Sequence, residues 1–461
     1  MNNLELYLYN TVTKRKDRFI PQDLINAKLY ICGPTVYERP HIGNMRVAVV
    51  YDLLYRMLKF IFPKVTYVRN FTDIDDKIIN TCISTGQSLS ELTNSMIKAY
   101  EDDSNTLLCH KPDYSPRATD HLQDMIAMIQ KLIDNGHAYL VEGHVLFRID
   151  SYSKYGFLSR QKIDDIISGA RIEVAKFKKN PADFVLWKPV SQGEEEFSFD
   201  SPWGRGRPGW HIECSAMSTK FLGNNFDIHG GGIDLLFPHH ENEIAQAVCA
   251  NKGSNFAKFW MHNGFLTING EKMSKSLNNV VLLRDVLDQD IPGAVMRYFY
   301  FMTHYRKPID YNEHAIHCAS KALRRMADNI ETLIEEYDND LIACDEAMEK
   351  ALNEGNNPAI DDLINILCND LNTPGLLSKI FIRQPIKTFA MLCTFLGFKP
   401  SVLHQYKHSY IDPNIIDIAN ERESAKKDKD WLVADALRNQ ILALGYNIMD
   451  KKEGGYALIK K

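Results

Sequence analysis

One stretch of this sequence, Lys28-Leu29-Tyr30-Ile31-Cys32-Gly33-Pro34, has the pattern of a short buried strand that ends in a tight turn. Apolar residues then recur at helical spacing from Ile42 to Phe62, and Pro63 closes the predicted helix. A second strand at 65–68 and a second helix at 75–83 follow. Strand, turn, helix and strand in this order predict the first half of a parallel α/β nucleotide-binding domain.

The α/β pattern stops after about residue 112 and resumes later in the chain. It continues as a strand at 226–229, a turn at 230–232, a helix from Pro238 to Ala250 and a strand from Phe259 to Leu266. From about residue 283 the pattern is mainly helical and ends in a small strand pair. The predicted fold class is therefore α/β, with a split Rossmann-like parallel-sheet domain, an insertion and a mainly helical C-terminal module.

These patterns also predict the boundaries of the units. The two halves of the split domain are predicted at 1–115 and 206–265, and the insertion at 116–205. A loop region at 266–310, a helical bundle at 311–400 and a small C-terminal subdomain at 401–461 complete the chain.

The composition limits the compartment and the partners. The 461 residues carry a net charge of −5, so nucleic-acid binding would require local basic surface. Nine scattered cysteines without close pairs are typical of a reducing cytoplasm. No run of about 20 apolar residues is present, and the first residues lack the pattern of a secretory signal. We therefore expect a cytoplasmic protein that does not enter membranes.

Two segments have the chemistry for binding phosphate. His41-Ile42-Gly43-Asn44 opens the first helix, where backbone amides favour anions, Gly43 permits close approach and His41 can donate to a phosphate oxygen. The alternative is a capping histidine and a packing glycine. Lys272-Met273-Ser274-Lys275-Ser276 follows an Asn269-Gly270 turn, so both lysines are predicted on a mobile loop that can reach a polyphosphate. Taken alone, such a lysine pair is more often a solvated surface feature.

A third segment suggests a metal site. His239 and Glu243 are four residues apart on the helix predicted from Pro238, so they share one face. Cys32 and Cys214, each at the end of an α/β element, could converge with them, and two cysteines, a histidine and a glutamate suit tetrahedral zinc. The residues alone do not select these four from nine cysteines and fifteen histidines, because an isolated cysteine more often belongs to the core.

The phosphate segments resemble the HIGH and KMSKS signatures of class I aminoacyl-tRNA synthetases. KMSKS is matched in full, whereas Asn44 replaces the second histidine and keeps a donor without its charge. Longer stretches resemble cysteinyl-tRNA synthetases in particular and run through essentially the whole chain. These stretches are Cys32–Tyr37, Asn70–Lys77, Asn180–Lys188 and Trp210–Gln246. The sequence is thereby identified as a member of that family.

The resemblance implies a ligase that activates L-cysteine with ATP and transfers it to the terminal adenosine of tRNA(Cys). It implies a monomer, Mg²⁺ accompanying ATP, and one zinc ion in the amino-acid pocket. The zinc ligands would be Cys32, Cys214, His239 and Glu243. Zinc takes a thiolate as a soft ligand and a serine hydroxyl poorly, so a second editing site would be unnecessary.

The same resemblance implies roles for other residues. Lys275 and Lys272 would stabilise the triphosphate in the transition state. The remaining ATP contacts would come from His41, Gly43, Asn44 and Ser276, and the amino-acid pocket from Thr72, Asp73, Trp210, His229 and Asp234. Asp73 either holds the substrate ammonium or is structural, and Trp210 is either the pocket floor or a core residue.

The tRNA would be bound by the C-terminal part of the chain. The resemblance implies that 266–310 contacts the tRNA stem and that 401–461 binds the anticodon. Its best match there is Ala434-Asp435-Ala436-Leu437-Arg438, downstream of Lys426, Lys427 and Lys429. By composition alone this helix would be a solvated surface.

Two rival functions fit parts of the same sequence. The first is a ligase of the same fold that joins cysteine to an amino sugar, against which the long segment after residue 310 argues. The second is a catalytically silent RNA-binding paralogue, against which the complete KMSKS and metal positions argue, with Asn44 in its favour.

Overall fold

The computed structural model describes residues 4–161, 177–354, 358–382, 384–409, 411–451 and 455–460. Its strands are, in chain order, β1 (Tyr7–Asn10), β2 (Arg15–Arg18), β3 (Asn26–Ile31), β4 (Lys64–Arg69), β5 (Ala138–Val141), β6 (His144–Phe147), β7 (Phe184–Pro189), β8 (Gly206–Pro208), β9 (Asn225–Gly232), β10 (Phe256–Asn263), β11 (Leu266–Ile268), β12 (Glu271–Lys272), β13 (Ile309–Tyr311), β14 (Tyr446–Asp450) and β15 (Tyr456–Lys460).

Its α-helices, also in chain order, are α1 (Ile42–Ile61), α2 (Asp76–Thr85), α3 (Leu89–Thr106), α4 (Leu122–Asp134), α5 (Trp210–Leu222), α6 (Glu241–Ala250), α7 (Leu283–Leu287), α8 (Gly293–Phe301), α9 (Glu313–Glu336), α10 (Leu341–Glu354), α11 (Pro358–Cys368), α12 (Thr373–Ile380), α13 (Ile386–Phe395), α14 (Pro400–Ser409), α15 (Pro413–Lys427) and α16 (Trp431–Ala443).

The predicted α/β domain contains a parallel sheet in the order β10-β9-β3-β4. Strands from the two predicted halves pair directly, with Leu29 of β3 opposite Ile228 of β9, so both halves share one sheet. Strand β4, the next strand of this sheet along the chain, pairs with one edge of β3, and β9 pairs with the opposite edge. The direction in which strands are added therefore reverses at β3. Ligands of such sheets bind at this switch point, beyond the carboxyl ends of the strands. The predicted fold class is confirmed.

The run Gly230-Gly231-Gly232 belongs to strand β9, and the predicted turn at this place is wrong. The hydroxyl of Tyr51, in α1, lies 3.0 Å from the Gly231 carbonyl oxygen and 2.7 Å from that of Met261, and it accepts the Gly231 N–H. A Cβ on Gly230 would lie 2.4 Å from the Tyr51 ring. The glycines therefore let α1 approach the sheet closely and do not end the strand.

Two further boundaries differ from the prediction. Regular helix α6 begins at Glu241, because Phe237 is extended (φ −142°, ψ 133°) and Leu236–His240 forms a wider turn before it. The strand predicted from Phe259 to Leu266 is two strands. The chain leaves the central sheet at Gly264, whose N–H donates to the Tyr305 carbonyl, and β11 then pairs with β13.

The predicted insertion contains the antiparallel sheet β5-β6-β7-β8. Strand β8 extends this sheet to Pro208, beyond the boundary predicted at 205. Helix α4, within the same predicted unit, packs against α5 and α6 of the second α/β half. Residues 162–176 of this unit lie outside the described residues.

The C-terminal helices divide into two packing groups. Helices up to α14 share one hydrophobic core with the α/β domain, and α14 packs against α9 and α10. Beyond residue 411, α15, α16, β14 and β15 form a separate small core. This core contains Ile415, Ala419, Ile441, Tyr446 and Ile448. The small subdomain predicted from 401 therefore has its own core only from α15 onward.

Among the described residues, no single helix is long and apolar enough to cross a membrane. One bent pair, Ile386–Phe395 with Pro400–Lys407, reaches that length and composition jointly, at an angle of 95°.

Candidate active site and metal centre

His41 caps the first helix at the carboxyl edge of the sheet. Its Nδ1 accepts the Asn44 backbone N–H at 3.2 Å, and the Asn44 side-chain oxygen accepts the His41 N–H at 3.2 Å. Because Nδ1 accepts, a neutral imidazole carries its proton on Nε2, which remains able to donate to a ligand. Burial lowers the pKa of His41, so the neutral form prevails near neutral pH. Asn44 thus acts as the reciprocal partner of a capping box.

The predicted lysine loop is a short hairpin followed by a turn. Lys272 ends strand β12, which pairs with β11, so the prediction that it lies in a loop is wrong. Lys275 opens a 3₁₀ turn, Lys275–Leu277, that the Ser274 side chain caps by accepting the Leu277 N–H. Ser276 Oγ lies 3.2 Å from Ser274 Oγ. Both lysines are on the surface.

Lys275 is held by the segment that leads into α1. Its Nζ lies 2.6 Å from Glu38 Oε2 and 4.5 Å from the centre of the Tyr37 ring. Partial burial opposes the charge, but hydrogen bonds to Glu38 and Tyr37 outweigh it and raise the pKa of Lys275. Glu38 carries no signal in the sequence that links it to Lys275, which follows it by 237 residues.

The two phosphate segments lie together. A Cβ on Gly43 would lie 3.0 Å from Met273 Cε, within the lysine segment. The Ile42 N–H donates to the Val281 carbonyl, which ties the start of α1 to the chain after that segment. The charge of Asp234, which is exposed after β9, acts on His41. A donor, two cations and a helix N-terminus therefore surround one edge of the sheet, an arrangement suited to a polyphosphate.

The four predicted metal ligands converge from four segments. Cys32 follows β3, Cys214 lies in α5, His239 in the turn before α6, and Glu243 in the first turn of α6. One ligand atom of each lies within 4.8 Å of all the others, and all four residues are buried. Glu243 Oε1 lies 3.0 Å from His239 Nε2 and 3.4 Å from Cys32 Sγ.

The chemistry of these donors fits a metal cation. Two thiols, an imidazole and a carboxyl group share a buried space, and Glu243 Oε2 makes no hydrogen bond within the described chain, although His229 Nε2 lies 3.3 Å away. Burial opposes the Cys214 thiolate, but interactions with Cys32 and His239 outweigh it and lower the pKa of Cys214 to about 7. Thiolate is the form that binds metals. The site can thus hold a soft or borderline cation.

A second set, which shares two residues with the first, also satisfies this spacing. Cys32, His229, His240 and Glu243 have ligand atoms within 4.8 Å of one another. His229 Nε2 lies 3.3 Å from Cys32 Sγ and 3.3 Å from Glu243 Oε2, and the His229 ring stacks on Trp260 at 4.3 Å. His229 is fully buried in β9. It therefore contacts the cysteine and glutamate of the metal set from within the sheet.

Further histidines surround the set and were missed. His211 Nδ1 lies 2.8 Å from His239 Nδ1, and His240 Nδ1 lies 2.8 Å from His262 Nε2. Burial lowers the pKa of His211 and His240 well below the usual value, so these imidazoles are neutral. In the sequence only His240 stands beside a predicted ligand, His239, so little in the chain indicated that these histidines meet.

The residues predicted for the amino-acid pocket lie in different environments. Asp73 is buried, and its two oxygens accept the backbone N–H of Thr119 at 2.9 Å and its hydroxyl at 2.6 Å, which favours the structural alternative. Thr72 is buried and donates its hydroxyl proton to Glu213 Oε2 at 2.7 Å. Glu213 was not selected from the sequence.

Trp210 is not a core residue. It is 39% exposed, its ring lies 4.3 Å from that of His239, and it begins α5. Together with Phe184 and Lys188 it lines a cleft of about 280 Å³ between the insertion sheet and the α/β domain. Trp210 therefore forms a wall between the metal set and an open cleft.

The split parallel sheet, the capped helix α1 and the lysine hairpin are parts of a class I tRNA synthetase catalytic domain. The family described as "tRNA synthetases class I (C) catalytic domain" matches residues 19–321. A methionyl-tRNA synthetase of Mycobacterium tuberculosis, solved with methionyl-adenylate, has the same fold with a TM-score of 0.55. It is 14% identical and aligns over 86% of this chain and 94% of its own.

Relatives that are similar in sequence over nearly the full chain identify the family within this class. Cysteine–tRNA ligases from Wolbachia sp. subsp. Drosophila simulans (strain wRi) and Ehrlichia ruminantium (strain Gardel) are each 45% identical, over 97% of this chain and 98% of theirs. The cysteine–tRNA ligase of Rickettsia conorii (strain ATCC VR-613 / Malish 7) is 45% identical over 98% of both chains. The chain belongs to the cysteine–tRNA ligase family of class I tRNA synthetases.

Proposed function

We propose that this chain activates L-cysteine with ATP and esterifies it onto the 3′-terminal adenosine of tRNA(Cys), as a cytoplasmic monomer. The observation that carries the proposal is the convergence of Cys32, Cys214, His239 and Glu243 beside the nucleotide edge of the sheet. This set of donors suits a thiol substrate, and it lies in a chain related over nearly its full length to cysteine–tRNA ligases. That coverage, which includes the C-terminal helices, disfavours a ligase that uses no tRNA.

The proposed metal is zinc, held by those four side chains. When bound, zinc supplies a soft ligand site that accepts the cysteine thiolate and disfavours the serine hydroxyl. A preference of roughly 10⁴ for cysteine corresponds to about 5.5 kcal/mol. The buried histidines pack around the set and restrict the side chains that hold the metal.

In the first step the carboxylate of cysteine attacks the α-phosphorus of ATP, and pyrophosphate leaves. Mg²⁺ would accompany the nucleotide and offset part of its charge. The nucleophile is already ionised, so the chain supplies positioning and charge and no base. His41 donates from Nε2 to a phosphate oxygen, and the N-terminus of α1 binds the nucleotide anion next to Gly43. Lys275 leaves Glu38 and, with Lys272 and Ser276, contacts the triphosphate.

In the second step the terminal ribose hydroxyl of tRNA attacks the carbonyl carbon of the adenylate, and AMP leaves. The C-terminal subdomain offers exposed surface for the far end of the tRNA. Trp431 and Leu432, at the start of α16, are 60% and 87% exposed next to Lys429. Exposed aromatic rings beside cations suit unpaired RNA bases.

The test is cysteine-dependent exchange between ATP and pyrophosphate, together with tRNA(Cys) charging and zinc content. Wild type should contain about one zinc per chain, exchange with cysteine and not serine, and charge tRNA(Cys). Cys214→Ser should lose zinc and cysteine-dependent exchange together, because a serine hydroxyl is a poor ligand. Cys249→Ser is the matched control, since Cys249 is also buried but lies outside both metal-capable sets, and it should retain zinc and exchange.

Two results would contradict the proposal. A zinc-free Cys214→Ser protein that still exchanges with cysteine would remove the metal from substrate selection. Wild-type exchange without any tRNA charging would support the rival ligase that uses no tRNA.

A further inference from the structure

Arg46 is a fully buried cation in the second turn of α1, and a buried charge is costly unless its surroundings compensate it. The compensation comes from backbone carbonyl groups. Nη1 lies 2.7 Å from the carbonyl oxygens of both Gly264 and Phe265. Nη2 lies 3.2 Å from that of Tyr305 and 2.6 Å from that of Lys307. Because each terminal nitrogen of a guanidinium carries two N–H groups in one rigid plane, this side chain joins two chain segments at once.

The two segments are the base of the small sheet that carries the lysine hairpin. Strand β11 begins directly after the first pair of carbonyls, and β13 begins two residues after Lys307. The two strands pair, and β12 pairs with β11, with Lys272 opposite Thr267. The Asp310 carboxylate accepts the Thr267 hydroxyl and the Gly270 N–H, each at 2.7 Å, and so holds the hairpin turn to β13. Strands β11, β12 and β13 therefore form one hairpin unit.

The two segments at the base of the hairpin unit lie too close together to move independently. The Gly264 N–H donates to the Tyr305 carbonyl at 2.8 Å, and the Ile309 N–H donates to the Phe265 carbonyl at 3.0 Å. A Cβ on Gly264 would lie 2.7 Å from the Lys307 carbonyl oxygen. The base therefore moves as one body, and the guanidinium that holds both segments sets its place on α1.

Helix α1 also carries the first phosphate segment. His41 caps this helix five residues before Arg46, and an α-helix is stiff over that distance, so the guanidinium has a fixed position relative to His41. The bond from the Ile42 N–H to the Val281 carbonyl holds the chain after the lysine segment, whereas Arg46 holds the chain before it. Both ends of the lysine segment are thus fastened to the same helix.

We propose that Arg46 is a positioning residue for the activation of cysteine. It sets where the hairpin unit lies on α1, and thereby how Lys272 and Lys275 approach the helix N-terminus that binds the nucleotide. Arg46 does not touch the substrate, because its side chain is enclosed by the carbonyl groups that it holds. Its effect is confined to the first step, since pyrophosphate leaves before the transfer to tRNA. This inference rests on the proposed function.

The test separates activation from transfer in Arg46→Lys. Lysine keeps the charge but has its donors on one nitrogen, so it cannot hold both segments. The kcat of cysteine-dependent pyrophosphate exchange should fall roughly tenfold or more, because small displacements of charge-stabilising groups are costly in the transition state. The KM for cysteine, the zinc content and the single-turnover rate of transfer from preformed cysteinyl-adenylate to tRNA(Cys) should stay within about twofold of wild type.

A combined variant tests whether Arg46 acts through the lysines. In a protein that carries Lys272→Ala and Lys275→Ala, exchange is already low, and adding Arg46→Lys should lower it by less than about threefold. Residues that act as one unit are non-additive in this way. A further tenfold loss would show that Arg46 acts on exchange by another route.

Arg297→Lys controls for the general effect of disturbing a buried guanidinium. Arg297 is also fully buried and donates to the Asp52 carboxylate and to the Leu396 carbonyl, outside the hairpin unit. This variant should lower the melting temperature but keep exchange within about twofold of wild type. If Arg46→Lys does not fold, Asp310→Ala, at a half-buried position, loosens the hairpin from β13 and should lower exchange roughly threefold or more while sparing transfer.

Two kinds of result would overturn the inference. Equal loss of exchange and transfer in Arg46→Lys, or a loss of exchange in Arg297→Lys as large as in Arg46→Lys, would make Arg46 a structural residue only. Unchanged exchange in a folded Arg46→Lys, or in Asp310→Ala where the former does not fold, would separate the hairpin unit from activation. Failure of the proposed function is distinguishable, because wild type would then show no cysteine-dependent exchange.

Discussion

At the scale of single residues, Glu38 pairs with Lys275, which we propose contacts ATP. On that proposal the triphosphate displaces the Glu38 carboxylate, so Glu38→Gln should lower the KM for ATP in pyrophosphate exchange. An exposed ion pair contributes little, and the expected decrease is therefore at most about fivefold. Glu271→Gln is the matched control, since Glu271 is an exposed glutamate one residue before Lys272 and forms no ion pair within the described part of the chain. A KM that rises in Glu38→Gln would show that Glu38 assists ATP binding.

His41 and Asn44 share one cap, and their functions can be separated. His41→Asn keeps a strong N-cap residue but removes the Nε2 donor, so exchange kcat should fall roughly 100-fold at nearly unchanged stability. Asn44→Ala removes the acceptor for the His41 N–H and should lower the free energy of unfolding by about 1 kcal/mol. Thermal unfolding and exchange are measured on both variants. A large loss of exchange in Asn44→Ala without loss of stability would instead place Asn44 in phosphate binding.

At the scale of elements, a buried ionic cluster joins α1 to α8. Asp52 of α1 accepts from Arg56 and from Arg297 of α8, and Arg297 also donates to the Leu396 carbonyl after α13. Burial alone would raise the pKa of Asp52, but Arg56, Arg297 and His110 outweigh it and hold the pKa well below its usual value. The cluster therefore connects the α/β domain to the helices that follow it.

This cluster predicts a specific dependence of stability on pH. Because the pKa of Asp52 is depressed in the folded state, its contribution is complete above the unfolded value of about 3.9. The contribution is lost as the pH falls from there towards the folded pKa. Asp52→Asn should lower the free energy of unfolding by about 3 kcal/mol or more at neutral pH and weaken the loss of stability below pH 4.

Thermal unfolding between pH 3 and pH 7 checks this prediction. Asp288→Asn is the control, because its pair with Arg284 is solvent-exposed and should contribute less than about 0.5 kcal/mol. Equal effects of the two substitutions would show that the buried cluster does not join these helices energetically.

At the scale of the whole molecule, the two steps of the proposed reaction use distant parts of the chain. Trp431 lies in the separate C-terminal core unit, so Trp431→Ala should leave pyrophosphate exchange unchanged. Because this variant removes the stacking contact between the Trp431 ring and one tRNA base, the KM for tRNA(Cys) in charging should rise roughly tenfold or more. Leu432→Ala, the matched control, removes a still more exposed side chain without a ring and should change the KM little. Equal charging by both variants and wild type would place the tRNA contact elsewhere.

Local features of this protein were predictable because they depend on residues close together in the chain. The periodicity of α1 follows from apolar spacing within twenty residues, and its start follows from the segment His41–Asn44. The nucleotide-binding fold class follows from the order of such elements. Boundaries failed where tertiary packing decided them, as at Gly230, where the Tyr51 ring keeps the glycines in a strand that local pattern assigns to a turn.

The assembly of the site was decided by the tertiary structure. The metal-capable set draws on four segments that span 211 residues, and spacing along the chain cannot choose Cys32 and Cys214 from nine cysteines. The bonds of Asp73 to Thr119, of Thr72 to Glu213 and of Lys275 to Glu38 likewise join residues 46, 141 and 237 positions apart. The sequence determined which chemical groups are present and which local elements carry them. Only the packing of the sheet and its helices decided which groups meet, because contacts between distant residues depend on the whole fold.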